Sequence, residues 1–136
     1  MAPEQIYDRP LSMRPRLVKL GVKKDQRISL IGLDEPDFTQ DLEATGASLS
    51  RRLRRESDII FFYARDPSEL GRLAELRRYI KPNGAIWVLR RKGKGAAIKD
   101  TDVIEASLAA RMVDNKIVAF SEELAAMRVV IRLVDR

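Results

Sequence analysis

Histidine is absent from this 136-residue chain, and so is cysteine. Each absence removes chemistry. Without imidazole there is no histidine general base, no Ser-His-Asp triad and no histidine metal ligand. Without thiols there is no disulfide framework and no thiolate zinc site. A metal would have to be a hard cation held by carboxylates, and no carboxylate cluster in the sequence demands one. Neither a metal nor a catalytic residue is therefore expected. Aromatic residues are only 6% of the chain, which leaves few rings to stack nucleobases. Charge interrupts every apolar run, so no membrane span is expected. No basic-then-apolar leader opens the sequence, and a cytoplasmic location is expected by default.

What remains is 45% hydrophobic and 34% charged. That is too apolar for a disordered chain, and it is the size of one compact domain. Residues 1–10 have no periodicity and are expected to be a flexible tail, with a single domain over residues 11–136. The net charge of +6 favours polyanions at low salt, although a mixed-sign surface also serves solubility. Only clustering of the positive side chains on one face would promote a nucleic-acid reading.

Along the chain, Leu11 to Leu20 reads as a short helix closed by Gly21. Arg27 to Leu33 reads as the first central strand. Pro36 opens a helix that runs to Glu43, with Asp34, Glu35 and Asp37 at its positive end. Gly46 ends it, and Ala47 to Leu53 forms a short strand. Asp58 to Ala64, DIIFFYA, is apolar enough for a strand covered on both faces. Asp66 caps a helix beginning at Pro67, whose apolar face is Leu70, Leu73, Leu76 and Ile80. Lys81 to Gly84 reads as a turn and Ala85 to Leu89 as another buried strand. Asp100 to Val113 is expected to be helical, with Ile104, Leu108 and Met112 inward. Lys116 to Ser121 and Met127 to Val134 are expected to close the chain as an antiparallel pair, because so few residues join them. Alternating strands and helices argue for a three-layer α/β sandwich: a Rossmann-like, mostly parallel sheet with an antiparallel C-terminal hairpin.

Three stretches carry a resemblance. LVKLGVKKDQRISLIG, Leu17 to Gly32, is similar to the helix, turn and first strand of class I S-adenosylmethionine-dependent methyltransferases. YIKPNGAIWVLR, Tyr79 to Arg90, resembles the helix end and following strand of that family. The terminal hairpin resembles its reversed last strand. The chain also resembles a family of small bacterial proteins of unknown function built on a reduced Rossmann-like plan, through the helix and turn at Lys19 to Lys24 and a GxA-type loop before the last helix. The resemblance implies a reduced methyltransferase-like topology, with cofactor approaching Gly32, Asp34 and Glu35. The chain departs from the family at that turn, where Gly32 is the only glycine before Leu33, Asp34, Glu35 and Pro36. Arg51, Arg52, Arg54 and Arg55 stand where the family places an acidic residue for the ribose hydroxyls, and only one strand fits between the first strand and DIIFF, where the full fold needs two. Ordinary cofactor binding is not expected.

The candidate anion-binding residues are Arg51, Arg52 and Arg54 in the first basic run, and Arg90, Arg91, Lys92 and Lys94 in RRKGKGAA. The second run follows a parallel strand, where open α/β sheets take ligands, and its glycines free backbone N–H groups. It lacks the spacing of a Walker loop and also reads as a solvated connection, while the first run also reads as a charged edge strand. Asp34 and Glu35 are placed like a carboxylate pair, but helix capping explains them equally. The expectation is a non-catalytic binding or assembly module. The alternatives are a binder of a phosphorylated small molecule, nucleotide or RNA through the basic loops, or a reduced methyltransferase-like enzyme. Self-association through an exposed edge strand is a further possibility.

Overall fold

The structure, a computed structural model, describes residues 15–136. The expected tail and the first residues of the expected Leu11 to Leu20 helix lie outside the described residues. Helix α1, Pro15–Lys19, ends as the sequence requires. Gly21 sits at φ +70°, and its N–H and that of Val22 return to Val18 and Leu17 carbonyls at 3.0 Å each. This double closure is a Schellman motif, which an L-residue at Gly21 would strain.

Strand β1 is Arg27–Ile31, helix α2 is Pro36–Ala44, and β2 is only Ser48–Ser50. β3 is Ser57–Tyr63 and β4 is Ile80–Arg91. Helix α3, Leu73–Leu76, lies between them with a 3-10 turn on either side, Pro67–Arg72 and Arg77–Tyr79. Helix α4 is Asp100–Ala109, followed by β5, Met112–Ala119, and β6, Leu124–Ile131. The sheet order is β2-β1-β3-β4-β6-β5. The first four strands in that order are parallel; β6 runs antiparallel to both β4 and β5.

Period-two alternation divides the core between the faces of the sheet. Ile60 and Phe62 of β3, with Ile86 and Val88 of β4, pack beneath Leu70, Leu73, Leu76 and Val103. Ile59, Phe61, Trp87 and Leu89 pack against Leu17, Phe38 and Leu42. DIIFFYA is accordingly covered on both sides, with Ile60, Phe61 and Phe62 no more than 1% exposed.

Several sequence expectations are corrected. The segment after Pro67 is mostly 3-10 rather than one α-helix. Leu70, Leu73 and Leu76 recur every three residues, the period at which 3-10 side chains eclipse. Lys81 to Gly84 is not a free turn but an irregularity inside β4, between the pairs Ser57–Ile80 and Ile59–Ala85. Gly84 allows it, since a Cβ there would stand 2.9 Å from the Asp58 carbonyl oxygen. In α4 the fully buried residues are Val103 and Ser107; Ile104 packs against the core as expected, partly buried, whereas Leu108 is 60% exposed. Ser107 can be buried because its hydroxyl donates to the Val103 carbonyl at 2.7 Å. Met112 opens β5 rather than closing α4, because Arg111 at φ +62° reverses the chain. Both terminal strands begin earlier than expected, and Leu133 and Val134 lie exposed in a 3-10 turn. Among the described residues no helix is long and apolar enough to cross a membrane.

Candidate functional site

Parallel β1, β3 and β4 deliver their carboxyl ends to one edge of the sheet, and the β5–β6 turn arrives beside them. A crevice of about 480 Å³ opens there, lined by Gly32, Asp34 and Glu35 after β1, Tyr63 and Arg65 at the end of β3, Arg91, and Ser121 to Leu124. A second cavity of about 320 Å³ adjoins it and shares Arg65 and Arg91; its other walls include Lys92, Lys94 and Gly95 to Ile98. One half is acidic through Asp34, Glu35, Glu122 and Glu123, and the other is basic.

Gly32 forms the crevice floor by a backbone device. Its φ is +74°, and a Cβ there would stand 3.2 Å from the Tyr63 carbonyl oxygen. Glycine therefore lets the chain leaving β1 lie against the end of β3. Asp34 and Glu35 follow, but Glu35 makes no side-chain capping bond to α2, which removes the main structural reason for it to face the helix.

The two basic runs have different fates. Arg51 donates to the Leu33 carbonyl at 2.7 Å and faces Asp34 at 3.8 Å. Arg54 donates to the Ser48 and Ile28 carbonyls at 2.5 and 3.3 Å. Burial, then Arg27, lowers the Arg54 pKa from its ordinary value. These two side chains sew the short edge strand β2 to β1. The side chain of Arg52 has no partner among the described residues, but it lines neither cavity. The first run thus does not share a cleft with the second.

In the second run Arg90 is also structural. It donates to the Ile98 carbonyl at 2.9 Å and pairs with Asp100, pinning the loop to the start of α4. Arg91 faces Glu123 at 3.6 Å across two exposed side chains, a contact of little energetic weight. The side chains of Lys92 and Lys94 have no hydrogen-bond or ion-pair partner among the described residues. Between them Gly93 stands at φ +114°, followed by Gly95 at +79°, and a Cβ at either would meet nothing within 4 Å. The loop is open, and its free cations face the cavity. Sequence reasoning missed Arg65, although its place directly after a parallel strand was a usable signal. Glu122 and Glu123 gave no such signal, because only the hairpin brings them to this edge.

Comparison with solved structures bears on the whole arrangement. A TehB-like S-adenosylmethionine-dependent methyltransferase from Corynebacterium glutamicum superposes with a TM-score of 0.54 at 12% identity, over 86% of each chain. One from Bacteroides fragilis, in complex with S-adenosyl-L-homocysteine, gives 0.62 at 9% identity over 93% of this chain and 79% of that one. A putative methyltransferase from Thermoplasma acidophilum gives 0.55 at 10%, over 88% and 75%. The fold is methyltransferase-like. No protein-family model matches the sequence, and no curated protein matches it.

The methyltransferase-like turn does not fit S-adenosylmethionine in the ordinary way. The residue after β2 is Arg51, not a carboxylate, and its guanidinium is already bonded across the β1–α2 turn. A ribose diol would meet a donor committed elsewhere instead of an acceptor. Among the described residues there is also no cluster of carboxylates suited to a metal.

Proposed function

We propose that this protein is a non-catalytic binding module that holds a phosphorylated small molecule, such as a nucleotide, at the carboxyl edge of its methyltransferase-like sheet. The observation that carries the reading is the convergence of Arg65, Arg91, Lys92 and Lys94 on one cavity beside an open glycine loop. The unpaired Lys92 and Lys94, the exposed and weakly paired Arg91, Arg65 over the Tyr63 ring and the glycine-loop backbone favour a multiply charged oxyanion. The acidic half of the adjoining crevice suits the hydroxyls or amino groups of the rest of such a ligand. RNA is less well served, because Phe38, Phe61, Phe62, Trp87 and Phe120 are all buried and cannot stack bases, while Tyr63 on the crevice wall already carries Arg65 over its ring.

The test is titration with adenosine mono- and triphosphate at about 50 and about 200 mM salt, alongside S-adenosylmethionine and S-adenosylhomocysteine. Saturable nucleotide binding that weakens with salt and is lost in the Lys92→Ala/Lys94→Ala protein supports the reading. Binding indifferent to both lysines, or no nucleotide binding at low salt, refutes it. Methyl transfer from S-adenosylmethionine would replace it with a reduced enzyme.

A further inference from the structure

At the opposite, amino-terminal edge of the sheet lies a smaller polar cavity of about 140 Å³, whose walls include Gly21, Lys23, Gln26, Asp58, Asn83 and Arg128. None of these residues belongs to the carboxyl-edge crevice. Arg128 lies in the middle of β6, directly across from Trp87 of β4, and so projects to the same face of the sheet. Trp87 there donates its indole N–H to the Leu20 carbonyl at 3.0 Å. Arg128 is half-buried, yet among the described residues its guanidinium has no hydrogen bond, ion pair or aromatic ring as partner.

A half-buried guanidinium without an acceptor is uncommon, because guanidinium carries five donors and loses hydration on burial. Solvent still reaches its nitrogens, but no group of the described protein compensates it. Burial, then the nearby Arg136, lowers the Arg128 pKa from its ordinary value. The one carboxylate on the cavity wall, Asp58, is already engaged: it pairs with Lys81 at 2.9 Å and accepts the Arg27 N–H at 2.8 Å. Gln26 accepts the Lys23 N–H through its oxygen at 2.8 Å, which leaves its NH₂ group as a donor with no hydrogen-bond partner among the described residues. The cavity therefore offers donors from Arg128, Lys23, Gln26 and Asn83, and its one carboxylate is neutralised.

We propose that this cavity is a second anion site, sized for one phosphate or sulfate group, in which Arg128 supplies the principal contact. The ligand class is a tetrahedral oxyanion, either free inorganic phosphate or the phosphate end of a monoester.

The experiment uses the full chain carrying Lys92→Ala/Lys94→Ala, so that the carboxyl-edge site does not contribute. Inorganic phosphate and, separately, phosphoserine are titrated against sodium chloride of equal ionic strength. Binding is followed by the fluorescence of Trp87, the only tryptophan, and by thermal melting. The expected result is a saturable change specific to phosphate, with NMR shifts at Gly21 and the Gln26 and Asn83 side-chain amides but not at Gly93 or Gly95. Arg128→Met keeps the aliphatic packing and should weaken phosphate binding by at least about tenfold, the loss of one charge-assisted hydrogen bond or more. In phosphate-free buffer the same variant should melt no lower than its parent, since it removes an uncompensated cation. Tighter binding of inorganic phosphate would mark a free ion as the ligand, whereas tighter phosphoserine binding would mark a phosphate terminus. A chloride response equal to that of phosphate, or Arg128→Met binding unchanged, overturns the proposal. Failure here leaves the lysine-loop reading untouched, because that loop has been removed from the test.

Discussion

Replacing Gly32 with alanine perturbs the crevice floor in two separable ways. An L-residue at φ +74° meets a left-handed penalty of about 1–2 kcal/mol. The new Cβ also stands 3.2 Å from the Tyr63 carbonyl oxygen. That neighbour is backbone in the central strand β3 and cannot rotate away, so overpacking adds about 1–3 kcal/mol. Gly21→Ala is the internal control, because φ there is +70° and a Cβ would meet nothing within 4 Å. It should cost only the left-handed term, about 1–2 kcal/mol. The difference, about 1 kcal/mol or more, measures the close approach of the β1 turn to β3. Equilibrium urea unfolding reads it directly: with a slope of about 2 kcal/mol/M, the Gly32→Ala midpoint should fall about 0.5 M or more below that of Gly21→Ala. Coincident midpoints would show that Gly32 is needed for its dihedral angle alone and not for close approach.

Two further outcomes follow from packing and charge. Leu73, fully buried, should lose about 2–5 kcal/mol on truncation to alanine, while Leu108, 60% exposed, should stay within about 0.5 kcal/mol. A midpoint loss at Leu108 as large as the one expected for Leu73 of α3 would contradict the outward place of Leu108 on α4. The Asp66 carboxyl is held below its ordinary pKa first by the Ser68 hydroxyl, against a smaller opposing effect of burial, with the Ser68 and Glu69 amides adding to it. Its folded pKa is thus lower than its unfolded one, so its contribution is present above the unfolded value, about 3.9, and is lost as pH falls through the folded one. Asp66→Asn should therefore flatten the acid side of the stability curve and leave the neutral region's pH slope unchanged. An identical acid limb in both proteins would show that the cap carries no proton linkage.

The sequence made the scaffold legible where residue pattern and physical role coincide. DIIFFYA can be buried on both faces only as an inner strand, and a glycine just past the last turn of α1 is the residue that takes the left-handed closing conformation without strain. The errors fall where a weak local signal met a stronger tertiary one. Leu108 promised an inward face by its hydrophobicity, but α4 packs on the sheet through Val103, Ser107 and the partly buried Ile104, which leaves Leu108 on the outer side. Lys81, Pro82, Asn83 and Gly84 carry the letters of a turn, yet the ladder to β3 resumes on both sides of them, at Ser57–Ile80 and Ile59–Ala85, so they form an irregularity within one strand. In the candidate site, Lys92 and Lys94 were legible from a loop after a parallel strand. Arg51, Arg54 and Arg90 carried the same charge in the sequence and turned out to be bonded to carbonyl oxygens or to Asp100.

The sequence by itself determined the absence of histidine and cysteine chemistry, the mostly parallel α/β plan and the single glycine in the β1 turn, because composition and local periodicity depend on neighbours in the chain. The tertiary structure decided which cations are free. A guanidinium is satisfied or left unpaired by whatever carbonyl or carboxylate the fold brings within about 3 Å, and those partners come from distant parts of the chain. Leu33 reaches Arg51 in this way, while nothing among the described residues reaches Arg128.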